Sequence, residues 1–170
     1  MKCSSLLLLL AVILGIGETA NAQRVAHPRA KAAAYHADKV HARRVIRRTA
    51  YVIREAQQSE KDGKVYTGDL ARAVAHQRYA RKLYFRGEFL RAMHQSRRAR
   101  EFAILAIQAN KGTETDSMKY NAEDQKIMND NPVSNSDLDS DLNKEMPGYS
   151  TKDEDFVNAA LSDIDLGDME

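Results

Sequence analysis

Five histidines, at 27, 36, 41, 76 and 94, and a run of alternating aspartates are the residues of this 170-residue chain best suited to chemistry. No two histidines stand four residues apart, so no helix face offers a two-histidine metal pair, and the His-Glu-x-x-His pattern is absent. His36 and His41, five apart, point in different directions on a helix. A site joining His76 and His94 across helices has no further support in the sequence. Asp137, Asp139 and Asp141 open like a calcium loop, but Leu142 stands where that loop needs glycine and Gly148 where it needs a bidentate glutamate. Asp163, Asp165 and Asp168 have no ligand frame either. The single cysteine, Cys3, precedes the apolar N-terminal run. There is no Gly-x-Ser-x-Gly, phosphate loop or dinucleotide fingerprint, and no tryptophan for a carbohydrate-stacking platform. The sequence therefore assigns no catalytic, cofactor-binding or metal-ligating residue, and reads as non-enzymatic with no cofactor.

The chemistry that remains is charge. The net +2 hides an asymmetry: residues 23–111 carry 21 Lys/Arg against 7 Asp/Glu, and residues 112–170 carry 4 against 16. Arg43, Arg44, Arg47 and Arg48 place two i, i+4 arginine pairs side by side. Arg78 and Arg81 with Lys82 and Arg86, and Arg97 and Arg98 with Arg100, form two further clusters. Like charges at i, i+4 cost a few tenths of a kcal/mol per pair, so four adjacent arginines call for acidic neighbours. The candidate basic interaction surface is thus Arg43, Arg44, Arg47, Arg48, Arg78, Arg81, Arg97 and Arg98.

Helices must position these groups. Between Pro28 and Lys111 there is no second proline, and glycine occurs only at 63, 68 and 87. Ala and Arg, both strong helix formers, dominate. The first predicted run, 29–58, carries a stripe of Tyr35, Ala42, Val45, Thr49, Val52 and Ala56, widened by Val40, Ile46 and Ile53. A polar turn at 59–64 ends it. The second run starts near Thr67, read as its cap, and closes at Gly87. The third, 88–110, has a ridge of small residues (Ala92, Ser96, Ala99, Ala103, Ala106), and Gly112 is read as its left-handed stop. So tight a turn at Gly87 makes the second and third helices an antiparallel hairpin.

Gly87, Phe89, Ala92, Ser96 and Ala99 follow a Gly-x-aromatic-x-x-Ala-x-x-x-x-x-x-Ala register, and here the chain resembles a tetratricopeptide-type helical hairpin. Leu83 takes the usual tyrosine position, Ser96 replaces an aromatic, and no second copy recurs at the period of about 34 residues. The resemblance implies a single repeat-like hairpin, its small residues letting the helices approach closely, packed on the long first helix. The expected fold is all-α: a three-helix antiparallel bundle over 23–112 with an acidic, largely disordered C-terminal tail over 113–170.

In that tail arginine disappears and Pro132 and Pro147 punctuate the chain. Two amphipathic islands are predicted as short helices, near 137–146 and 152–165. Leu138, Leu142 and Met146 line one face of the first. Phe156, Val157, Leu161 and Ile164 line the second, with Thr151 and Glu154 in capping-box register. Leu138, Leu142, Phe156, Val157, Leu161 and Ile164 are the candidate docking residues.

The N-terminus sets the compartment. Lys2, an eleven-residue apolar run from Leu6 to Ile16, and Ala20-Asn21-Ala22 fit a secretory signal over 1–22. That run is too short to span a bilayer, which needs about 20 residues, so no stable membrane insertion is expected once the signal is removed. The expectation is a periplasmic or secreted interaction or scaffold protein. Its basic body would dock its own acidic tail or an unknown protein's acidic segment. The alternative is a polyanion binder acting on acidic polysaccharide, lipid headgroups or extracellular DNA. The long stripe on the first helix leaves room for a homodimer.

Overall fold

The structure, a computed structural model, describes residues 28–167. The signal reading at 1–22 lies outside the described residues, as does Asp168. Among the described residues the chain is all-helical, with no strand. No described helix is long and apolar enough to cross a membrane.

Three long helices carry the basic half: α1 (Pro28–Gly63), α2 (Asp69–Phe85) and α3 (Phe89–Ala109). The 36 residues of α1 span about 54 Å, far more than either partner helix covers. The predicted stripe is therefore buried only from Ala42 onward, through Val45, Ile46, Thr49, Val52, Ile53 and Ala56. Tyr35 and Val40 remain 57% and 46% exposed, although the Tyr35 ring meets Phe89 edge-on at 5.0 Å where α2 turns into α3. The small-residue ridge of α3 is fully buried, which lets α1 and α2 both lie close against it.

The helix ends differ from expectation in instructive ways. The polar stretch at 59–63 continues α1 to Gly63, and Lys64 rather than glycine takes the left-handed φ of 58°. A side chain at Gly63 would collide with Asn110, whose amide donates to Val65 O (3.0 Å) and whose carbonyl accepts from Val65 N (2.9 Å). Likewise Lys111 (φ 62°), not Gly112, is the left-handed stop of α3; Gly112 is needed because a Cβ there would strike Ile107. Thr67 does not cap α2. Gly68 is the cap residue, at φ 82°, and from its own turn the helix receives no more than a long 3.4 Å bond from Asp69 N to the Thr67 hydroxyl. The hydroxyl of Thr67 instead donates to Asp69 (2.7 Å).

The acidic half corrects the expectation of a largely disordered tail. Residues 113–167 form a 3-10 turn (Asp116–Met118), α4 (Ala122–Asp130), α5 (Asn135–Glu145), the single turn α6 (Glu154–Val157) and a second 3-10 turn (Ser162–Ile164). Asn121 caps α4 by accepting from Asp124 N (2.7 Å), and Ser134 caps α5 by accepting from Asp137 N (3.1 Å). The island near 152–165 is not one helix, and Thr151 is not its cap. Asp153 precedes α6 and its carboxylate serves another helix.

This strap visits the three grooves of the body in turn. Its first part lies against α1 and α3, α5 lies against α2 and α3, and α6 with the last turn lies against α1 and α2. The apolar interior is consequently shared: Met118, Phe156, Leu161 and Ile164 join the cluster built on Ile53, Leu70 and Phe102. Met128, Leu142 and Leu166 join the one built on Ile46, Tyr79 and Phe89.

Candidate functional site: basic body and acidic strap

Of the eight arginines singled out by sequence, Arg44, Arg47, Arg78, Arg81, Arg97 and Arg98 contact the strap directly. Arg44 reaches Asp124 through Nε (3.0 Å) and Nη2 (2.5 Å) and also Glu123 (3.2 Å). Asp124 is fully buried, and its bonds hold the Arg44 guanidinium above its ordinary pKa. Arg47 donates to Gly167 O (2.6 Å). Arg78 Nε lies 2.7 Å from Asp163, and Arg81 donates to Asp163 O (3.1 Å). Arg97 donates to Val133 O (3.3 Å) and Asn135 Oδ1 (3.0 Å). Arg98 makes a two-pronged bond to Asp139, 2.8 Å on each arm, while stacking 4.1 Å from the Phe102 ring. Arg43 is half-buried near Leu166, in the lining of a small cavity with Tyr35, Lys39 and Phe85. Arg48 is exposed and adds repulsion to the buried Arg100.

All six candidate docking residues are buried. Leu142 and Ile164 are fully so, and Leu138, Phe156, Val157 and Leu161 are each at most 7% exposed. Pairing by charge alone would leave the register loose, since each exposed ion pair is worth under about 1 kcal/mol. Neutral amides fix it. Gln57 donates to the carbonyls of Phe156 (2.6 Å) and Ala159 (2.9 Å), Gln77 to Ile164 O (2.9 Å), and Gln95 to Leu138 O (3.1 Å). Gln57 and Gln77 read strap backbone in the α1–α2 groove, and Gln95 reads it in the α2–α3 groove. Three glutamines on basic helices carried no distinguishing signal in the sequence.

Polar groups at the centre follow the same logic. Among the described residues Arg100, buried, forms no ion pair with a carboxylate. It donates to Met118 O (3.0 Å) and Thr49 Oγ1 (3.2 and 3.0 Å) and lies 3.7 Å over the Tyr120 ring. Burial lowers its pKa, and the charge of Arg48 adds to that. Tyr79 donates to Asp141 (3.1 Å), with Arg91 donating to both, and burial pushes the phenol up to about 12.

The histidines separate. His76 is buried with Nδ1 2.7 Å from Gln95 Oε1 and Nε2 3.2 Å from Asp139; burial nonetheless depresses its pKa. His94 is buried with neither ring nitrogen in a well-formed hydrogen bond, beside the Asn131 backbone, and its pKa is also lowered by burial. It lies between two shallow clefts on α3 and the 128–144 segment, of about 330 and 230 Å³. His41 sits by Arg44 and Asp124, and His36 is exposed. Among the described residues no three His, Cys, Asp or Glu side chains are grouped to hold a metal ion.

The site that sequence reasoning missed is where the strap meets the start of α2. Asp153, 1% exposed, accepts from Gly68 N (2.6 Å) and Ala71 N (2.8 Å), supplying from 82–85 residues away the cap that α2 lacks. Beside it Glu60 of α1 is fully buried and neither of its oxygens is hydrogen-bonded. Burial first, then the charge of Asp153 and contact with it, push Glu60 up to about 8. Nothing local in the sequence pairs residue 60 with residue 153.

No family model matches the chain, and comparisons with curated proteins and with solved structures likewise found no match.

Proposed function

We propose that this is an exported, periplasmic or secreted, non-enzymatic interaction or scaffold protein whose basic helical body docks an acidic segment. In the resting chain that segment is its own strap. A partner carrying a comparable acidic, amphipathic segment acts by displacing it. On this reading α1–α3 form a three-helix antiparallel bundle and α2–α3 its tetratricopeptide-like hairpin. The observation that carries the reading is the combination of three kinds of contact along the strap: arginine to carboxylate and a buried apolar anchor in each groove, and glutamine to strap carbonyl in the α1–α2 and α2–α3 grooves. Such a surface recognises both the charge and the backbone of an acidic peptide.

The test uses the full chain with its strap weakened by Leu142→Ala and Phe156→Ala, and a synthetic peptide of residues 135–167 added in trans. The weakened chain binds the peptide at about 0.15 M salt and retains most binding at about 0.5 M, while the intact chain does not bind it. A weakened chain that ignores the peptide refutes the reading.

The second reading, polyanion binding, is favoured by the exposed start of α1, where Arg29, Lys31 and Lys39 stand in sequence with the single acid Asp38. Its mark is affinity for a sulfated polysaccharide that collapses between those two salt concentrations.

A further inference from the structure

The strap is held to α2 by a carboxylate that sits next to a second buried carboxyl, in a corner where, among the described residues, no cation pairs with either. Asp153 spends both oxygens on the Gly68 and Ala71 amides. Glu60 adjoins it with no hydrogen-bond partner and no solvent. Asp69 on α2 and Glu154 on the strap add negative charge at the same corner. Arg72 on α2 pairs with Asp69 (3.6 Å), and Lys61 on α1, Lys64 just after it and Lys152 on the strap are exposed. Among the described residues neither Glu60, Asp153 nor Glu154 forms an ion pair. At the neighbouring end of α3 stands the uncharged Asn110, followed by the exposed Lys111.

We propose that Glu60 and Asp153 form a proton-gated latch: the strap stays seated on α2 while Glu60 carries a proton and lifts when Glu60 ionises. This rests on the reading of the strap as a docked segment. Two carboxylates in contact repel, and burial deepens the cost of having both ionised. With the proton on Glu60 the pair becomes a donor and an acceptor. Asp153 then keeps its charge for the positive end of α2, where an anion is favoured. Lifting the strap hydrates Glu60 and separates it from Asp153, so the seated state binds one more proton than the open state above the ordinary carboxylate range. With Glu60 at about 8 when seated and at about 4.5 when open, the latch weakens as pH rises between those two values and no further above them. A rise in pH across that interval thereby opens the α1–α2 groove to an outside acidic segment.

Two amides report the latch directly. Gly68 N and Ala71 N lie at the start of α2, where no helical carbonyl is available to them, and their acceptor is Asp153. Their hydrogen-exchange protection is measured by NMR on the full chain from pH 6 to 9, each rate corrected for intrinsic exchange. Wild type should lose about tenfold protection per pH unit until Glu60 has titrated. Glu60→Gln, which keeps the shape and removes the charge, should hold protection constant over the range. Asp62→Asn, on the same helix but exposed, should keep the wild-type slope. Protection present at pH 6 and unchanged at pH 9 in wild type overturns the latch and leaves the docked strap intact. A slope that persists in Glu60→Gln also overturns it. Absence of protection at every pH in wild type overturns the docking reading itself.

Discussion

Leu142→Ala tests whether the acidic strap is part of the hydrophobic interior or merely laid on it. Leu142 is fully buried and packs in the cluster that includes Tyr79 and Met93. Removing three carbons at about 0.8 kcal/mol each gives about 2.4 kcal/mol, and the cavity left behind raises this to about 3. Urea unfolding is the assay. With a slope of about 2 kcal/mol per molar, a loss of about 3 kcal/mol lowers the midpoint by about 1.5 M if strap and body unfold together. If the strap opens first, the same loss increases its open population about 150-fold, which brief proteolysis of the native protein reads as faster cleavage within 113–167. Val133→Ala is the control. It lies on the same strap but is 39% exposed, so it costs under about 1 kcal/mol. If Leu142→Ala changes neither midpoint nor cleavage more than Val133→Ala does, the strap does not share the core and the argument fails.

Stability should peak near pH 6.5 and fall on both sides. Below that value His76 and His94, depressed by burial, stay neutral in the folded chain while their unfolded counterparts take up protons, so stability falls with falling pH. Glu60 acts in the opposite sense: raised to about 8, it keeps a proton that the unfolded chain loses above about 4.5, so stability falls as pH rises between those values. Two histidines outweigh one glutamate below pH 6.5 and leave it unopposed above, which thermal melts across pH 5–9 will resolve; a monotonic profile contradicts the assignment. The Arg98–Asp139 pair, with side chains 16% and 39% exposed, should show a coupling of only about 0.5–1 kcal/mol in a double-mutant cycle, shrinking with added salt. A coupling above about 3 kcal/mol would mean that charge rather than apolar contact seats α5.

The helices of the body were legible because their signals are local. Ala and Arg propensity, the stripe from Ala42 to Ala56 and the glycines at 63, 68 and 87 each act within a few residues. α5 was legible for the same reason, since Leu138, Leu142 and Met146 repeat at helical spacing; its Ser134 cap emerged only in the fold. The segment at 152–165 was read as one helix because Phe156, Val157, Leu161 and Ile164 repeat at helical spacing. In the fold the carbonyls of Phe156, Ala159 and Ile164 are taken by Gln57 and Gln77, so the helical ladder is not required to satisfy them. α4 escaped notice because its apolar face is little more than Ile127 and Met128. The basic clusters were visible as unbalanced charge, and so was their need for acidic neighbours. Their individual partners were not, because Arg44 with Asp124, Arg98 with Asp139 and Glu60 with Asp153 are tertiary pairings that no short window contains.

The central claim is that the acidic half is an internal lid held by apolar and backbone contacts as well as charge. A protease site inserted in the exposed stretch at 113–115 lets the two halves be separated covalently after folding. Size-exclusion chromatography of the cleaved protein then asks whether they part. The account predicts that both halves co-elute at low salt and still do so at about 0.5 M, where ion pairs beyond a few ångströms are screened. Release of the acidic half at low salt, or its complete loss at 0.5 M, would contradict the account.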